Sequence, residues 1–114
     1  AYQNHEELLK TADEVLALRE RVASPWFGLN VDIGSLRTAD PYDEIARLAP
    51  HACTWQIKER VYRRGQEEKT DLRRLFVILK GVGYRGYAPL ETLGPGDPRD
   101  KVRRFLAEVR EALS

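Results

Sequence analysis

The chain has 114 residues, of which 42% are hydrophobic and 32% charged, a composition typical of one folded domain rather than of a disordered chain. Its 19 basic and 18 acidic residues give a net charge of +1, which excludes a general electrostatic attraction to nucleic acid or to an anionic membrane. The single cysteine excludes an internal disulfide, and no apolar run approaches the roughly 18 residues of a membrane span. With no signal-peptide pattern at its start, we expect a single cytoplasmic domain over residues 1–114 that has no membrane partner.

The hydrophobic pattern predicts strands that alternate with helices. A short strand near residue 1 precedes a helix over about 6–22, where apolar residues recur at helical spacing and acidic residues precede basic ones. A near-continuous apolar run over 26–33 predicts the second strand. Asp40-Pro41 then begins the second helix, because Asp is a good N-cap and Pro fits the first helical turn.

The second half of the chain repeats this order. A strand over 52–58 leads to a polar loop from about Arg60 to Lys69, and Thr70 is expected to cap a third helix that Gly83 ends. A fourth strand over 87–91 and a helix that begins at Asp97-Pro98 follow. Strand–helix alternation predicts a parallel α/β sheet, and four βα units are half of an eightfold barrel of about 250 residues. The expected fold is therefore half of a (βα)8 TIM barrel.

Polar side chains stand at the carboxyl ends of all four predicted strands, where parallel α/β sheets bind ligands. They are Gln3, Asp32, Gln56 and Glu91. Two carboxylates and two amides supply hard oxygen ligands, which favour Mg²⁺ or Mn²⁺ over softer metals. For any one position, a structural polar group that is satisfied within its strand is an equally good interpretation.

Several short motifs in this order and spacing resemble a known family. They are Gln3-Asn4-His5, Val31-Asp32-Ile33-Gly34, Asp40-Pro41-Tyr42, Trp55-Gln56-Ile57-Lys58-Glu59, and Gly83-Tyr84-Arg85-Gly86-Tyr87 with Leu90-Glu91. Together they resemble the carboxyl-terminal half of the sugar phosphate isomerase/epimerase family, the xylose isomerase-like TIM barrels. The resemblance spans nearly the whole chain and implies strands five to eight of such a barrel.

The resemblance implies a metal held by Gln3, Asp32, Gln56 and Glu91, where the family usually has Glu, Asp, His and Glu. Gln retains a carbonyl oxygen for coordination, although the metal would be held more weakly. The family moves a proton beside a carbonyl that the metal polarises. Gln3 cannot accept a proton, which leaves Glu91 as the only family-matched base. This favours a one-base isomerisation or a lyase-like reaction over a two-base epimerisation.

Other residues near the predicted site have two interpretations each. Lys58 and Glu59 are candidate acids or bases, although Glu59 is more simply a solvated loop residue. His5, Trp55 and Arg60 are candidate substrate contacts. Alternatively, His5 caps the first helix, Trp55 fills the core, and Arg60 is a solvated charge in a basic loop. The same loop would also suit a substrate phosphate or a nucleic-acid backbone.

Two classes of function follow. The first is an isomerase/epimerase-like module that acts on a sugar or sugar phosphate with a divalent metal. The second is a non-catalytic half-barrel, which would oligomerise through its unpaired first and fourth strands as a homodimer or larger assembly. A start at Ala1 without any methionine leads us to expect a chain cut from a longer protein that has a further amino-terminal half. Nucleic acid is the weakest candidate partner, and the two histidines argue against a zinc-dependent endonuclease.

Overall fold

A four-stranded parallel sheet forms the centre of the structure, a computed structural model that describes all of residues 1–114. The strands are, in chain order, β1 (Tyr2–Gln3), β2 (Leu29–Asp32), β3 (Ala52–Lys58), β4 (Arg60–Arg63), β5 (Gln66–Lys69) and β6 (Leu90–Glu91). The α-helices are α1 (Ala12–Val22), α2 (Pro41–Leu48), α3 (Leu72–Gly81) and α4 (Pro98–Leu113). No helix combines the length and the apolarity that crossing a membrane requires.

The sheet has the order β1-β2-β3-β6, so each strand lies beside the next strand of the βα series. All three pairings are parallel. Consecutive helices along the chain pack against one another, from α1 to α4, which places the four helices in one layer. The predicted parallel α/β domain of four βα units is therefore confirmed.

The two faces of the sheet differ in character because successive side chains of a strand point to opposite faces. Val31, Trp55 and Ile57 are fully buried and belong to one core cluster of 19 hydrophobic residues that includes residues of all four helices. Their neighbours Asp32 and Gln56 point to the other face, which carries no helix layer. The polar residues predicted at the strand ends therefore share a face.

The helix starts follow their capping residues. At α2, Asp40 Oδ1 accepts a hydrogen bond from the Tyr42 amide at 2.9 Å, as predicted. The prediction that the first helix begins near residue 6 is wrong, since α1 begins at Ala12. Thr11 caps this helix and exchanges hydrogen bonds with Glu14, a capping box that defines a start the apolar spacing alone does not.

The segment from Arg60 to Lys69 is a β-hairpin of β4 and β5, and the prediction of a loop there is wrong. Its turn residues Arg64 and Gly65 have φ values of 51° and 77°, as a two-residue type I′ turn requires. Thr70 does not cap α3, because its hydroxyl donates to the Lys58 carbonyl at 2.7 Å. Asp71 is the cap instead.

Two strands are shorter than predicted. β2 begins at Leu29, and Trp26 before it is 92% exposed. β6 contains only Leu90 and Glu91, because Tyr87 lies outside the ladder and its carbonyl accepts a hydrogen bond from the Tyr84 hydroxyl at 2.7 Å. The carboxyl end of β6 is where it was predicted, and that of β2 lies one residue earlier, so the candidate site keeps its position.

Candidate functional site

A groove of about 500 Å³ lies at the carboxyl ends of β3 and β6. The end of β3 and the start of β4 form one part of it, while β6, the loop after it and α4 form another. Most of its lining is polar or charged, and the charged members include Glu6, Lys58, Glu59, Arg60, Glu91 and Lys101. A groove of this size can hold a small polar molecule.

Three of the four predicted ligand residues are in direct contact. The Gln3 amide Nε2 donates to Gln56 Oε1 at 2.7 Å and to Asp32 Oδ2 at 3.2 Å. Asn30 adds a donor, because its Nδ2 lies 3.1 Å from Gln3 Oε1. The strand register explains this contact, since Asp32 is paired with Gln56 and Gln3 with Asn30. The sheet therefore brings these polar side chains together as predicted.

Lys58 connects the fourth predicted residue to this group. Its ammonium Nζ lies 3.0 Å from Asp32 Oδ2 and 3.3 Å from Glu91 Oε2. Lys58 and Glu91 are register partners in β3 and β6, so the ion pair spans adjacent strands. The lysine side chain is only 15% exposed. One largely buried ammonium thus lies between the two predicted carboxylate ligands.

The same contacts determine the protonation state of Lys58. Desolvation is the largest influence and lowers its pKa, but hydrogen bonds and charge interactions with Asp32 and Glu91 together outweigh it. The pKa of Lys58 is therefore raised above its ordinary value of 10.5. Near neutral pH the side chain is a cation and not a free base, so of the acid and base roles predicted for it the geometry favours the acid.

Asp32 is fully buried and firmly oriented. Its Oδ1 accepts a hydrogen bond from the Gly34 amide at 2.9 Å, and its Oδ2 accepts one from the Ser35 hydroxyl at 2.8 Å. The buried Asn4 side chain exchanges two hydrogen bonds of 2.8 Å with the Asp32 backbone. Asn4 is therefore a positioning residue of the site, and it was not predicted as one. The sequence indicates it only as a second polar residue directly after the first strand.

Glu91 is held less tightly than Asp32. Its side chain is 35% exposed, and it contributes to the lining of the groove. Its Oε2 is inaccessible to solvent and has no hydrogen bond of good geometry, despite the ion pair with Lys58. Glu91 is therefore a partly exposed carboxylate at the groove whose Oε2 faces the ammonium of Lys58.

The three predicted substrate contacts have different positions. Trp55 is fully buried in the core with its ring 5.9 Å from that of Tyr84, and this position speaks against contact with a substrate. His5 is exposed, and its carbonyl accepts hydrogen bonds from two amides of the turn before α1. Arg60 lines the groove with a side chain that is 59% exposed and lies 3.6 Å from Glu67.

The donor set does not fit a divalent metal in the arrangement described. Gln3 directs its N–H group, and not its oxygen, toward Asp32. Both oxygens of Asp32 already accept hydrogen bonds, and Lys58 lies between Asp32 and Glu91. No group of three or more His, Cys, Asp and Glu side chains is placed to hold a metal ion. The magnesium or manganese site stays a prediction that this geometry does not support.

The fold and the site define the chain as a parallel α/β domain with a charged groove at the carboxyl edge of its sheet. No protein-family model matches the chain, and no curated protein matches it significantly. The resemblance to the sugar phosphate isomerase/epimerase family rests on the motifs alone.

Proposed function

We propose that the chain is half of a TIM barrel, equivalent to strands five to eight, and that it is an isomerase/epimerase-like module for a sugar or sugar phosphate. The sequential order of β1, β2, β3 and β6, with the helices in one layer, supports the half-barrel. A doubly wound sheet would instead reverse its strand order near the middle. The motif resemblance supports the same assignment.

The observation that carries the proposed activity is the pair of Lys58 and Glu91, which are neighbours on adjacent strands at the groove. Deprotonation beside a carbonyl needs a base near the carbon and a positive charge near the oxygen. The Glu91 side chain is 35% exposed at the groove, and Lys58 is a cation. Arg60 at the groove supplies a further positive charge for a phosphate or another acidic group of the substrate.

In the proposed reaction the Glu91 carboxylate takes the proton from the carbon beside the substrate carbonyl. The electron pair of that C–H bond forms the C=C bond of an enediolate, and the carbonyl π pair moves onto oxygen, to which Lys58 donates a hydrogen bond. The proton then returns from Glu91 to the former carbonyl carbon, while the adjacent hydroxyl proton passes to the enediolate oxygen. One base is enough for this sequence, which agrees with the amide at Gln3.

The test is exchange of substrate carbon-bound hydrogen with deuterated water, followed by proton NMR over a panel of aldoses, ketoses and their phosphates. We expect exchange with at least one class, and a loss of about 100-fold or more in Glu91→Gln. Glu108→Gln is the matched control, because Glu108 pairs with Lys69 and does not line the groove. Exchange that persists in Glu91→Gln, or no exchange with any compound of the panel, would contradict the proposal.

The second candidate, a non-catalytic half-barrel that assembles through its sheet edges, is favoured by the exposed edges themselves. β1 and β6 are the outer strands, and the aromatic side chain of Tyr87, which precedes β6, is 89% exposed. This candidate predicts a homodimer or larger oligomer in light scattering together with no isotope exchange. A monodisperse monomer would exclude it.

A further inference from the structure

Two carboxylates from different strands converge on a single atom of this protein. Asp32 ends β2 and Glu91 ends β6, on either side of β3, and both lie within 3.3 Å of Lys58 Nζ. A pair of carboxylates that faces a common point is a usual setting for a bound cation. Here the cation at that point is part of the chain.

The stem of Lys58 is packed and is not a loose surface side chain. A β-carbon at Gly34 would lie 2.8 Å from Lys58 Cδ and 3.3 Å from its Cγ. The lysine methylene groups therefore lie against the backbone just after β2, in space that any other residue at position 34 would fill. The space left by Gly34 and the packing of the lysine stem within it together hold the ammonium at the carboxylates.

Charge balance argues against a metal ion in addition to the lysine. Gln3 and Gln56 are neutral and hydrogen bonded to each other, so Asp32 and Glu91 supply the negative charge of the cluster. Lys58 already neutralises half of that charge. A divalent ion within a few ångströms of the ammonium would meet strong repulsion at the low effective dielectric of a partly buried site.

We propose that the ammonium of Lys58 takes the place of a divalent cation between Asp32 and Glu91, so that the groove does not bind Mg²⁺ or Mn²⁺. The catalytic role of this ammonium rests on the proposed function, in which Lys58 supplies the positive charge near the substrate oxygen. The identity of the cation is independent of any substrate and is tested on the protein alone. Removal of the lysine should convert the carboxylate pair into a metal site.

The experiment measures Mn²⁺ binding by electron paramagnetic resonance and the thermal midpoint with MnCl₂ or EDTA. We expect no binding and no change of midpoint for the unmodified chain. Lys58→Met, which keeps an apolar stem, should bind Mn²⁺ and gain about 4 °C or more. Lys101→Met is the matched control, because it removes a different ammonium from the same groove and should gain nothing.

Each outcome decides the inference. Mn²⁺ binding by the unmodified chain that disappears in Asp32→Asn would overturn it. If Lys58→Met does not fold, Lys58→Gln is measured in its place. A folded Lys58 variant that fails to bind Mn²⁺ would also overturn the inference. Isotope exchange measured in EDTA separates the two proposals. Exchange that occurs only with Mn²⁺ would refute the lysine inference but support the isomerase activity. Absence of exchange, together with the expected Mn²⁺ binding results, would refute the isomerase activity but support the lysine inference.

Discussion

Two aspartates of this domain contact different numbers of cations. Asp32, at the end of β2, shares the single ammonium of Lys58 with a second carboxylate. Asp40, the cap of α2, contacts two arginines, because its Oδ2 lies 2.9 Å from Arg63 and 3.2 Å from Arg74. These arginines also pair with Glu68 and Asp43. Both clusters join separate elements of the fold, but only the first borders the groove.

The difference separates a structural contact from a reactive one. The Asp40 carboxylate contacts the Tyr42 amide, Arg63 and Arg74, and these contacts hold α2 to β4 and α3. The carboxylate of Asp32 is also fully engaged, by Gly34, Ser35, Gln3 and Lys58, but the ammonium of Lys58 is shared with Glu91, which is 35% exposed at the groove. Proton transfer requires a carboxylate that a substrate can reach beside a cation, as at Glu91 and Lys58, whereas an ion pair away from the groove contributes mainly to stability.

The largest effect should come from Asp32→Ala, which we expect to lower the free energy of unfolding by about 3 kcal/mol. The substitution leaves the donors of Gly34 and Ser35 without their acceptor and removes the closer partner of Lys58. Urea denaturation monitored by circular dichroism measures the loss. A loss of less than about 1 kcal/mol would mean that this carboxylate is not the centre of the cluster.

Lys58→Met should cost about 2 kcal/mol near neutral pH, since it removes the ion pairs with two carboxylates and leaves both without their cation. The folded-state pKa of Lys58 is raised above 10.5, so its contribution is complete below about that pH and is lost as the pH rises through the folded-state value. Unfolding free energies of both proteins from neutral to strongly alkaline pH measure the difference. A difference that already declines between pH 7 and 9 would contradict the raised pKa.

Asp40→Asn should cost less, about 1 kcal/mol, because Asn retains the helix cap and the lost ion pairs are partly exposed to solvent. Burial raises the pKa of Asp40, but hydrogen bonds from Arg63, the Tyr42 amide and Arg74 outweigh it and lower the pKa from 3.8 to about 2. Because the pKa is lowered on folding, the ionised carboxylate stabilises the fold above pH 3.8, and this stabilisation is lost as the pH falls through about 2. Acid titrations of stability should therefore converge for the two proteins near pH 2; parallel curves would refute this explanation.

Much of the fold and the location of the site could be predicted from the sequence because the evidence is local. Asp40-Pro41 and Asp97-Pro98 begin helices through contacts within one turn. The ends of parallel strands must meet at one edge, so the polar residues there could be grouped before any contact was known. The same alternation that directs Gln56 to the polar face of the sheet directs Trp55 into the core, and the aromatic character of Trp55 does not distinguish the two positions.

The remaining features depend on contacts between segments distant in sequence. The hairpin could not be predicted because its strands consist mainly of charged and amide residues, which have low strand preference. Contacts between its two strands stabilise it, such as the pair of Arg63 and Glu68 at 3.2 Å. The position of Lys58 depends on its register with Glu91 and on the space left by Gly34. Neither feature has a local pattern, so the lysine could be predicted as a site residue but not as the cation of the site.

The most direct test of that assignment is a crystal structure of the unmodified protein grown with MnCl₂, with anomalous scattering recorded to locate manganese. We expect Lys58 Nζ within hydrogen-bond distance of both Asp32 and Glu91, and no anomalous peak between the two carboxylates. A manganese peak bound by Asp32 and Glu91, with the Lys58 side chain turned away, would contradict the account.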